Sequence, residues 1–393
     1  MIAALFDSLF NGLSIGAVLL ISALGLAIVF GLMGVINMAH GELMMLGAYT
    51  TFVVQNGFNL LGKPWFETYI LVALPMAFLV AAAMGLILER GVIRYLYGRP
   101  LETLLATWGV SLILQQFVRS VNWVLAISLA VFCLFFFGAL WILSRPPQLE
   151  RMRNWVIAVM LPLSLGIAWA TGTLLAQTYK LTVTQPWFGA QNVNVTAPRW
   201  LQDNLPIFGL TLPYTRLFII GLTILCVAAI YLFLQRSAWG LRIRAVTQNR
   251  SMSSCLGIPT QKVDALTFAL GSGLAGVAGC AISLLGSVGP NTGQNYVVDT
   301  FMVVVVGGVG KLVGSIVAAI AIGTANYLIG SGVLVTSIPA PLLTMEPFKL
   351  LADLLTFFSS TSMAKVIVFA LIIVFLQVRP GGIFPQKGRT VDA

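Results

Sequence analysis

The sequence NMAHGELMMLGAY, residues 37–49, is a polar interruption between two long apolar runs. It contains the only histidine of the chain, His40, two positions before the carboxylate of Glu42. The preceding run, residues 8–30, has the roughly 20 apolar residues that a membrane-spanning helix needs. The following run continues to residue 55. The segment therefore predicts an elbow of polar residues and glycine between two membrane helices.

Apolar runs of spanning length recur along the whole chain. Hydrophobic residues make up 59% of its 393 residues and charged residues only 9%, which excludes an ordinary water-soluble surface. We predict an all-α polytopic membrane protein of about nine to eleven transmembrane helices, some broken or re-entrant, with residues 1–393 in one domain. The first run lacks the basic segment of a secretory signal and is expected to stay in the membrane. The other long runs lie at 69–93, 121–143, 154–176, 214–234, 263–285, 312–331 and 364–378, and two short ones at 103–118 and 300–310.

Positive charge lies in short polar segments between these runs. The chain carries 22 Lys and Arg against 12 Asp and Glu, a net charge of +10. Basic residues cluster at 90–99, 145–153, 236–262 and 379–389, and these segments alternate with less basic loops, as expected of loops that stay in the cytosol. The pattern predicts an extracytoplasmic N-terminus, a cytosolic C-terminus and an odd number of crossings. We attribute the charge to topology rather than to nucleic-acid binding.

Motifs of enzymes and metal sites fail on their spacing. The segment GGVGKL, residues 307–312, ends like a phosphate-binding loop, but Val305 replaces its first glycine and Leu312 replaces its hydroxyl residue. His40 has no second histidine for an H-E-x-x-H site, and the four cysteines lack metal-site spacing. We therefore expect no catalytic residues, no metal and no cofactor in this chain.

Small residues and glycine mark two further places. From Gly271 to Ser283 a small residue recurs at every fourth position, which gives one helix a nearly bare face. Such a face lets helices pack closely in lipid, and we prefer this interpretation to a solute-lining role. The segment VVVVGGVGKLVGS, residues 303–315, predicts a helix break, with Lys311 near the cytosolic interface.

The elbow follows from the same reasoning. Under the predicted topology, His40 and Gly41 lie in a turn that faces the cytosol, and Glu42 lies slightly deeper. We interpret His40 as a hydrogen-bonded interfacial residue rather than a general base, and Glu42 as an acceptor of hydrogen bonds from a loop or a partner helix. These three residues form the predicted elbow or gate.

The longest cytosolic segment, about residues 236–262, contains a predicted short helix. AVTQNRSMSSCL, residues 245–256, has helical character, and Gly257 and Pro259 provide its end. A short helix of mixed polarity between two membrane spans suits docking into a groove on a cytosolic partner, and an ordinary loop is the alternative. The residues assigned to this contact are Arg250, Ser251, Met252, Ser253, Leu256 and Gly257.

Six blocks of the sequence, taken in order, resemble one known family. The blocks are GLAIVFGLMGVINMAHGELMMLGAYTTFVVQ (25–55), RPLETLLATWGVSLILQQ (99–116), FGAQNVNV (188–195), LTFALGSGLAGVAGCAISLLGSVGP (266–290), VVDTFMVVVVGGVGKLVGS (297–315) and RPGGIFPQKGRTVD (379–392). They resemble the membrane permeases of branched-chain amino acid type ABC importers. The resemblance is closest to the urea-importer permease, on the strength of INMAHGE, LLATWGVSL, FGAQNV and FPQKGR.

One region departs from the family pattern. LILQQ is normally followed closely by FGAQNV, whereas about 70 residues separate them here. We predict a two-helix insertion at about residues 119–186 with a basic cytosolic hairpin. Two added crossings preserve the orientation of the rest of the chain. We interpret the pair as a lipid-facing addition rather than part of the translocation path.

The resemblance implies a transport subunit rather than an enzyme. It implies a multi-pass protein of the bacterial cytoplasmic (inner) membrane that forms a path with a second homologous permease. An extracytoplasmic or periplasmic solute-binding protein would deliver solute, and two cytosolic ATPase subunits would hydrolyse ATP.

For the solute, the resemblance favours urea, with branched-chain or other amino acids and short amides as the alternative. Urea needs paired donors and acceptors rather than fixed charge. An ion-coupled secondary transporter or channel is a further alternative, which the position of the ionisable residues near predicted helix ends disfavours. Those residues are Glu42, Glu102, Asp264 and Asp299, and the candidate path residues are Asn37, Thr107, Gln115 and Asn291.

Overall fold

The computed structural model describes residues 2–143, 153–178, 186–189, 191–207, 210–333, 356–357 and 361–384. These ranges are predominantly helical, which confirms the predicted all-α membrane class. A short antiparallel hairpin pairs β1 (Asn204–Ile207) with β2 (Leu210–Pro213). The helices are α1 (Ile2–Met33), α2 (His40–Leu61), α3 (Lys63–Phe66), α4 (Tyr69–Gly91), α5 (Pro100–Ser120), α6 (Trp123–Leu143), α7 (Arg153–Thr178), α8 (Arg199–Gln202), α9 (Tyr214–Arg236), α10 (Ala238–Gln248), α11 (Arg250–Cys255), α12 (Thr260–Leu285), α13 (Thr292–Gly307), α14 (Leu312–Gly330) and α15 (Thr361–Val378), with a 3-10 turn at Ile93–Tyr95.

Six helices in the described residues are long and apolar enough to cross a membrane. Three apolar helices are shorter. Helix α2 is not among the six, and it carries elbow residues in its first turn and Gln55, Asn56 and Asn59 in its second half. The predicted short run at 300–310 belongs to α13 and to the break that follows it. The six spans are Phe6–Met33, Tyr69–Tyr95, Pro100–Ser120, Tyr214–Arg236, Thr260–Leu285 and Leu312–Gly330, and the shorter helices are Trp123–Phe136, Val159–Leu175 and Met363–Val378.

The chain forms two compact units, residues 1–111 with 193–393, and residues 112–192. In the larger unit, α1 and α12 are central, since 83% and 78% of their spanning windows are buried, against 22% for α9. The core of this unit is therefore built around two helices that the other helices surround. A central helix has to approach several neighbours at once, which favours small residues on several of its faces.

Glycine provides this close approach in α12. A Cβ atom added at Gly271 would overlap the Gly25 carbonyl oxygen of α1. At Gly279 it would overlap the Met44 carbonyl oxygen of α2, and at Gly276 it would meet α4. The predicted close packing along the bare face is confirmed, and that face contacts neighbouring helices.

The predicted break in segment 303–315 is also confirmed. α13 ends at Gly307, and Gly308 and Gly310 have φ angles of 96° and 78°, which favour glycine. The C-terminal segment folds back onto this break, because the Ile383 amide donates to the Val306 carbonyl at 2.8 Å. The exposed Lys311 then precedes α14.

Basic segments of the larger unit gather at one end of the helices, which we call the basic end. Arg94 donates a hydrogen bond to Gln261, so the α4–α5 connection lies beside the start of α12. Gly31 packs on Gly310, which brings the end of α1 to the α13–α14 break. This grouping is what the positive-inside pattern requires of cytosolic segments. The basic segment 145–153 lies almost wholly outside the described residues, as does the tail beyond residue 384.

The other end of the same unit carries the β-hairpin, and we call it the hairpin end. The Tyr69 hydroxyl donates to the Thr196 carbonyl at 2.8 Å, and the Thr196 amide donates to Gln55 Oε1 at 3.1 Å. The Arg199 amide donates to Glu67 Oε2 at 2.8 Å. These bonds fix the end of α2 and the start of α4 to the segment that precedes the hairpin.

The smaller unit contains α6 and α7, which pack on each other. The rings of Trp123 and Trp187 meet edge to face with centroids 4.8 Å apart. The Trp187 amide donates to the Val121 carbonyl at 2.9 Å. Both helices lie within the predicted insertion at 119–186, whose role as a lipid-facing addition remains a prediction.

Candidate translocation elbow and coupling segment

The elbow, residues 34–42, returns into the protein instead of lying at its surface. Gly34 leaves α1 with a φ angle of 68°, and His40 Nε2 then lies 3.0 Å from the Ser22 carbonyl oxygen. Ser22 precedes the end of α1 by eleven residues, or about 16 Å of helix. His40 is fully buried. Our expectation of a turn facing the cytosol is therefore wrong, because the chain folds back along α1 before α2 begins.

The His40 tautomer follows from its contact. A carbonyl oxygen only accepts hydrogen bonds, so Nε2 of the neutral ring carries the proton and donates to Ser22. Nδ1 is then an acceptor, and it has no hydrogen-bond partner among the described residues. The Asn37 side-chain nitrogen is likewise buried without a partner there, while its Oδ1 accepts from the Ala39 amide at 3.1 Å. The elbow thus holds one spare acceptor and one spare donor.

Helix α5 supplies the opposite wall of the elbow. Thr107 Oγ1 accepts a hydrogen bond from the Met38 amide at 3.1 Å. The Ser111 hydroxyl, one turn further along, donates to Glu42 Oε1 at 3.1 Å. Glu42 is buried at the first turn of α2, where a carboxylate also interacts favourably with the positive end of the helix dipole. Two helices therefore hold the polar groups of the elbow by direct hydrogen bonds.

The starts of α2 and α13 meet beside this elbow. A Cβ added at Gly41 would overlap the carbonyl oxygen of Gly293, and one added at Gly293 would overlap Gly41 in return. The Ser22 hydroxyl lies 2.9 Å from the Thr300 hydroxyl of α13. Two discontinuous helices that start inside the protein are typical of solute paths in transporters.

The candidate path residues are only partly brought together. Asn37 lies in the elbow and Thr107 contacts it from α5, whereas Asn291 is exposed just before α13. Gln115 is buried and belongs to the smaller unit. Sequence reasoning missed Ser22, Ser111 and Thr300, since single small hydroxyl residues within apolar runs are equally typical of plain helix packing. Within the described residues, no three His, Cys, Asp or Glu side chains are placed to hold a metal.

The coupling segment, residues 236–262, is divided differently from our prediction. The expected single helix at 245–256 is the end of α10 followed by α11. Asn249 is extended between them, and its Oδ1 caps α11 by accepting from the Met252 amide at 3.0 Å. Such local capping competes with helix continuation at asparagine. The predicted glycine end is confirmed, with Gly257 at a φ angle of 79°.

The Arg250 side chain is half exposed, but its guanidinium packs against the protein. Its guanidinium lies 2.6 Å from Asp264 Oδ2 and 4.7 Å above the Tyr97 ring. The Tyr97 hydroxyl in turn donates to Glu89 at 3.3 Å. Burial, helped by the nearby Asp264 and Glu89 carboxylates, raises the pKa of Tyr97 well above its usual value, so the hydroxyl stays a proton donor. This network anchors α11 to α4 and α12.

Two apolar side chains are exposed at α11, among polar neighbours. Met252 is 60% exposed, and Leu256, the residue that follows α11, is 75% exposed four positions further along the chain. Ser253 is the buried residue of α11. Ser251 is exposed and bonds to Asn249. Of the six residues assigned to a partner contact, the pair Met252 and Leu256 is the one that presents apolar surface to solvent.

Long apolar helices, a buried polar elbow and a coupling segment at the basic end are the features of a multi-pass membrane transport protein. The chain belongs to the family described as "Branched-chain amino acid transport system / permease component", whose model matches residues 8–376. It is therefore a permease of the ABC importer type, a transport subunit and not an enzyme.

Two relatives named for branched-chain amino acid transport match over most of the chain, and a third relative matches over about a quarter of it. The high-affinity branched-chain amino acid transport system permease protein LivH of Salmonella typhimurium is 26% identical over 381 residues, 96% of this chain and 94% of LivH. The corresponding protein BraD of Pseudomonas aeruginosa is 26% identical over 322 residues, 81% of this chain and 84% of BraD. The ribose import permease protein RbsC of Bacillus subtilis is 28% identical over 110 residues, 26% of this chain and 34% of RbsC. No solved structure matches the chain.

Proposed function

We propose that this chain is the permease subunit of an ABC importer for branched-chain amino acids in the bacterial inner membrane. It pairs with a homologous permease, two cytosolic ATPase subunits and an extracytoplasmic solute-binding protein. The observation that carries the proposal is the family match over residues 8–376, supported by relatives named for branched-chain amino acid transport. This reverses the order of solutes that the sequence blocks favoured.

Urea remains the second candidate, because four of the sequence blocks resemble the urea-importer permease. The elbow supports it in one respect. It offers the spare Nδ1 acceptor of His40 and the spare amide donor of Asn37 in a buried place, which suits a small neutral solute. Buried unpaired groups cost about 1–3 kcal/mol each, so a solute that pairs them gains affinity.

The test is uptake by the importer reconstituted in proteoliposomes with the products of the neighbouring genes. Tritiated leucine and radiolabelled urea are supplied in parallel, with and without internal ATP and the binding protein. We expect ATP-dependent accumulation of leucine, and no ATP hydrolysis by the purified permease alone. Accumulation of urea without leucine would transfer the assignment to urea. Downhill flux of either solute without ATPase subunits would support a channel or secondary transporter instead.

We also propose that the coupling segment docks on an ATPase subunit through Met252 and Leu256. Exposed apolar residues rimmed by polar ones are typical of protein contacts. Arg250 then acts as the anchor of the segment, since its ion pair with Asp264 joins α11 to the membrane helix α12. Force from the ATPase would pass along this connection into the bundle.

A further inference from the structure

A cavity of about 420 Å³ lies between α1, α13, α14 and α15 in the larger unit. Ile15 and Leu19 form an apolar wall on α1, and Tyr296, Tyr327 and the pair Asp299 and Lys365 lie around it. This volume is within the range of about 300–1,000 Å³ that small-molecule sites occupy. The cavity is separate from the elbow and from the coupling segment.

The cavity contains an ion pair at the depth of the membrane helices. Lys365 Nζ lies 3.2 Å from Asp299 Oδ2 and donates to the Asn295 carbonyl at 3.3 Å. The Asp299 side chain is only 5% exposed, whereas that of Lys365 is 36% exposed. Asp299 is the eighth of the sixteen residues of α13, so our expectation that it lies near a helix end is wrong. A charge within a membrane costs about 2.5–3.5 kcal/mol on insertion scales, and such charges usually serve a function.

The cavity lies toward the extracytoplasmic side under the predicted topology. α14 begins beside the break at the basic end, and Tyr327 lies fifteen residues, or about 22 Å, further along it. Tyr327 also accepts a hydrogen bond from Asn11, near the N-terminal end of α1, at 2.9 Å. Lys365 is in the second turn of α15, near the end of that helix that faces away from the basic tail segment. A solute from outside would therefore reach the cavity before it reaches the elbow.

We propose that this cavity binds the zwitterion of an aliphatic α-amino acid. The ammonium group of the ligand contacts Asp299, its carboxylate contacts Lys365, and its side chain lies against Ile15 and Leu19. The proposal rests on the proposed function for its class of solute. Beyond that function, the proposal names a binding site and gives a physical reason why an amino acid would bind there and urea would not.

Charge balance carries the argument. Without ligand, the carboxylate and the ammonium neutralise each other at 3.2 Å. A zwitterion that inserts between them gives each protein charge a new opposite partner and leaves the site at zero net charge. A ligand with a single charge leaves one of the two protein charges without its opposite partner, and this is most costly for Asp299, which is only 5% exposed. Urea has no charge to exchange, so the existing pair would have to remain closed.

A purely structural role for the pair makes a different prediction. As a clamp between α13 and α15, it would affect every ligand equally, because its loss would act through packing. As a ligand site, Lys365 interacts with carboxylates and Asp299 with ammonium groups. Ligands that carry only one of the two charges therefore separate the two roles.

The test measures binding of tritiated leucine to the assembled permease and ATPase complex in lipid nanodiscs, without the binding protein. Leucinamide, which has only the ammonium, and 4-methylpentanoate, which has only the carboxylate, compete for the site. The variants are Lys365→Met and Asp299→Asn, with Lys365→Arg to keep the charge. Glu102→Gln is the matched control, since Glu102 forms an exposed pair with Arg99, 3.1 Å apart, at the basic end.

We expect Lys365→Met to weaken the binding of leucine and 4-methylpentanoate by about ten-fold or more, as for the loss of one charge-assisted hydrogen bond. The binding of leucinamide should change little. Asp299→Asn should weaken leucine and leucinamide instead. Lys365→Arg should retain most of the affinity, and Glu102→Gln all of it. Equal weakening of all three ligands, displacement of leucine by urea at similar concentrations, or no leucine binding by the wild-type complex would overturn the proposal.

Uptake measured with the binding protein distinguishes a wrong assignment of the cavity from a wrong assignment of the solute. If wild-type proteoliposomes accumulate leucine but the nanodisc pattern fails, only the assignment of the cavity is wrong. If they accumulate urea and not leucine, the proposed solute is wrong as well.

Discussion

The elbow and the coupling segment are both polar interruptions between apolar helices, but their side chains are oriented in opposite ways. In the elbow, the polar residues Asn37, His40 and Glu42 are buried. In the coupling segment, the apolar residues Met252 and Leu256 are exposed. The polarity of a segment of this membrane protein therefore does not predict whether its side chains are exposed. The places where the usual rule is reversed are where solute and partner contacts are expected.

The largest expected effect is that of Gly41→Ala in the elbow. A Cβ at this position would overlap the Gly293 carbonyl, and two backbones have to separate to admit it. Overpacking of this kind costs about 1–3 kcal/mol or more, although alanine is intrinsically about 1 kcal/mol better than glycine in a helix. We expect a lower Tm and little assembled complex. Fluorescence-detected size exclusion of the detergent-solubilised complex on heating measures both.

The matched control is Gly57→Ala in the same helix, where an added Cβ has open space. This variant should keep or slightly raise the Tm. Equal Tm values for the two variants would show that α2 and α13 are not in close contact at the elbow.

A smaller effect is expected from Arg250→Glu in the coupling segment. It would place a second carboxylate against Asp264 and remove the cation above Tyr97. Because the Arg250 side chain is 47% exposed, we expect a cost of about 2 kcal/mol, below that of breaking a fully buried pair. Hydrogen exchange should increase in 250–258, and less ATPase should co-purify.

Arg242→Glu provides the control for net charge. Arg242 lies 4.9 Å above the Trp239 ring on α10 and has no carboxylate partner among the described residues. It should leave hydrogen exchange in α11 unchanged. If both variants reduce co-purification equally, long-range charge and not the Asp264 pair explains the effect.

The third prediction concerns the exposed apolar pair itself. The double substitution Met252→Ser and Leu256→Ser removes apolar surface but leaves the Arg250 ion pair in place. The free energy of unfolding should therefore stay within about 0.5 kcal/mol of wild type. Attachment of the ATPase should fall by about ten-fold, as for the loss of an interface contact worth about 1–2 kcal/mol. Binding of purified ATPase to nanodiscs measures it. Ser251→Ala, on the same helix, should bind normally, and normal binding by the double variant would exclude this face as the docking surface.

Local patterns were sufficient for several features of the fold. The membrane class, the glycine break at 307–310 and the bare face of α12 follow from composition and spacing within one segment. The glycine end of α11 is equally local, because only the chain at Gly257 determines its φ angle.

The site depended on contacts between distant segments, and there sequence reasoning was incomplete. The depth of His40 depends on a carbonyl of α1, and the direction of Arg250 depends on Tyr97 in another connection. Neither partner is marked by a pattern in its own segment. Asp299 could not be placed because α13 begins at Thr292, eight positions before the predicted apolar run at 300–310. The charge pair with Lys365 joins two helices 66 positions apart in the sequence.

The smallest effect is expected from Gly257→Ala. The substitution is the same as at Gly41, but the destabilisation has a different physical cause. Nothing lies within 4 Å of the position that an added Cβ would take, so packing is unaffected. The φ angle of 79° is the cost, since a residue with a Cβ loses about 1–2 kcal/mol in the left-handed region. Gly257→Asn should lose less than Gly257→Ala, because asparagine tolerates this region, and Gly257→Val should lose more. ATPase attachment and Tm should both fall in the order Gly, Asn, Ala, Val. An order that followed side-chain size, with Asn worse than Ala, would show that space and not backbone conformation limits this end of the coupling segment, and the contrast with Gly41 would disappear.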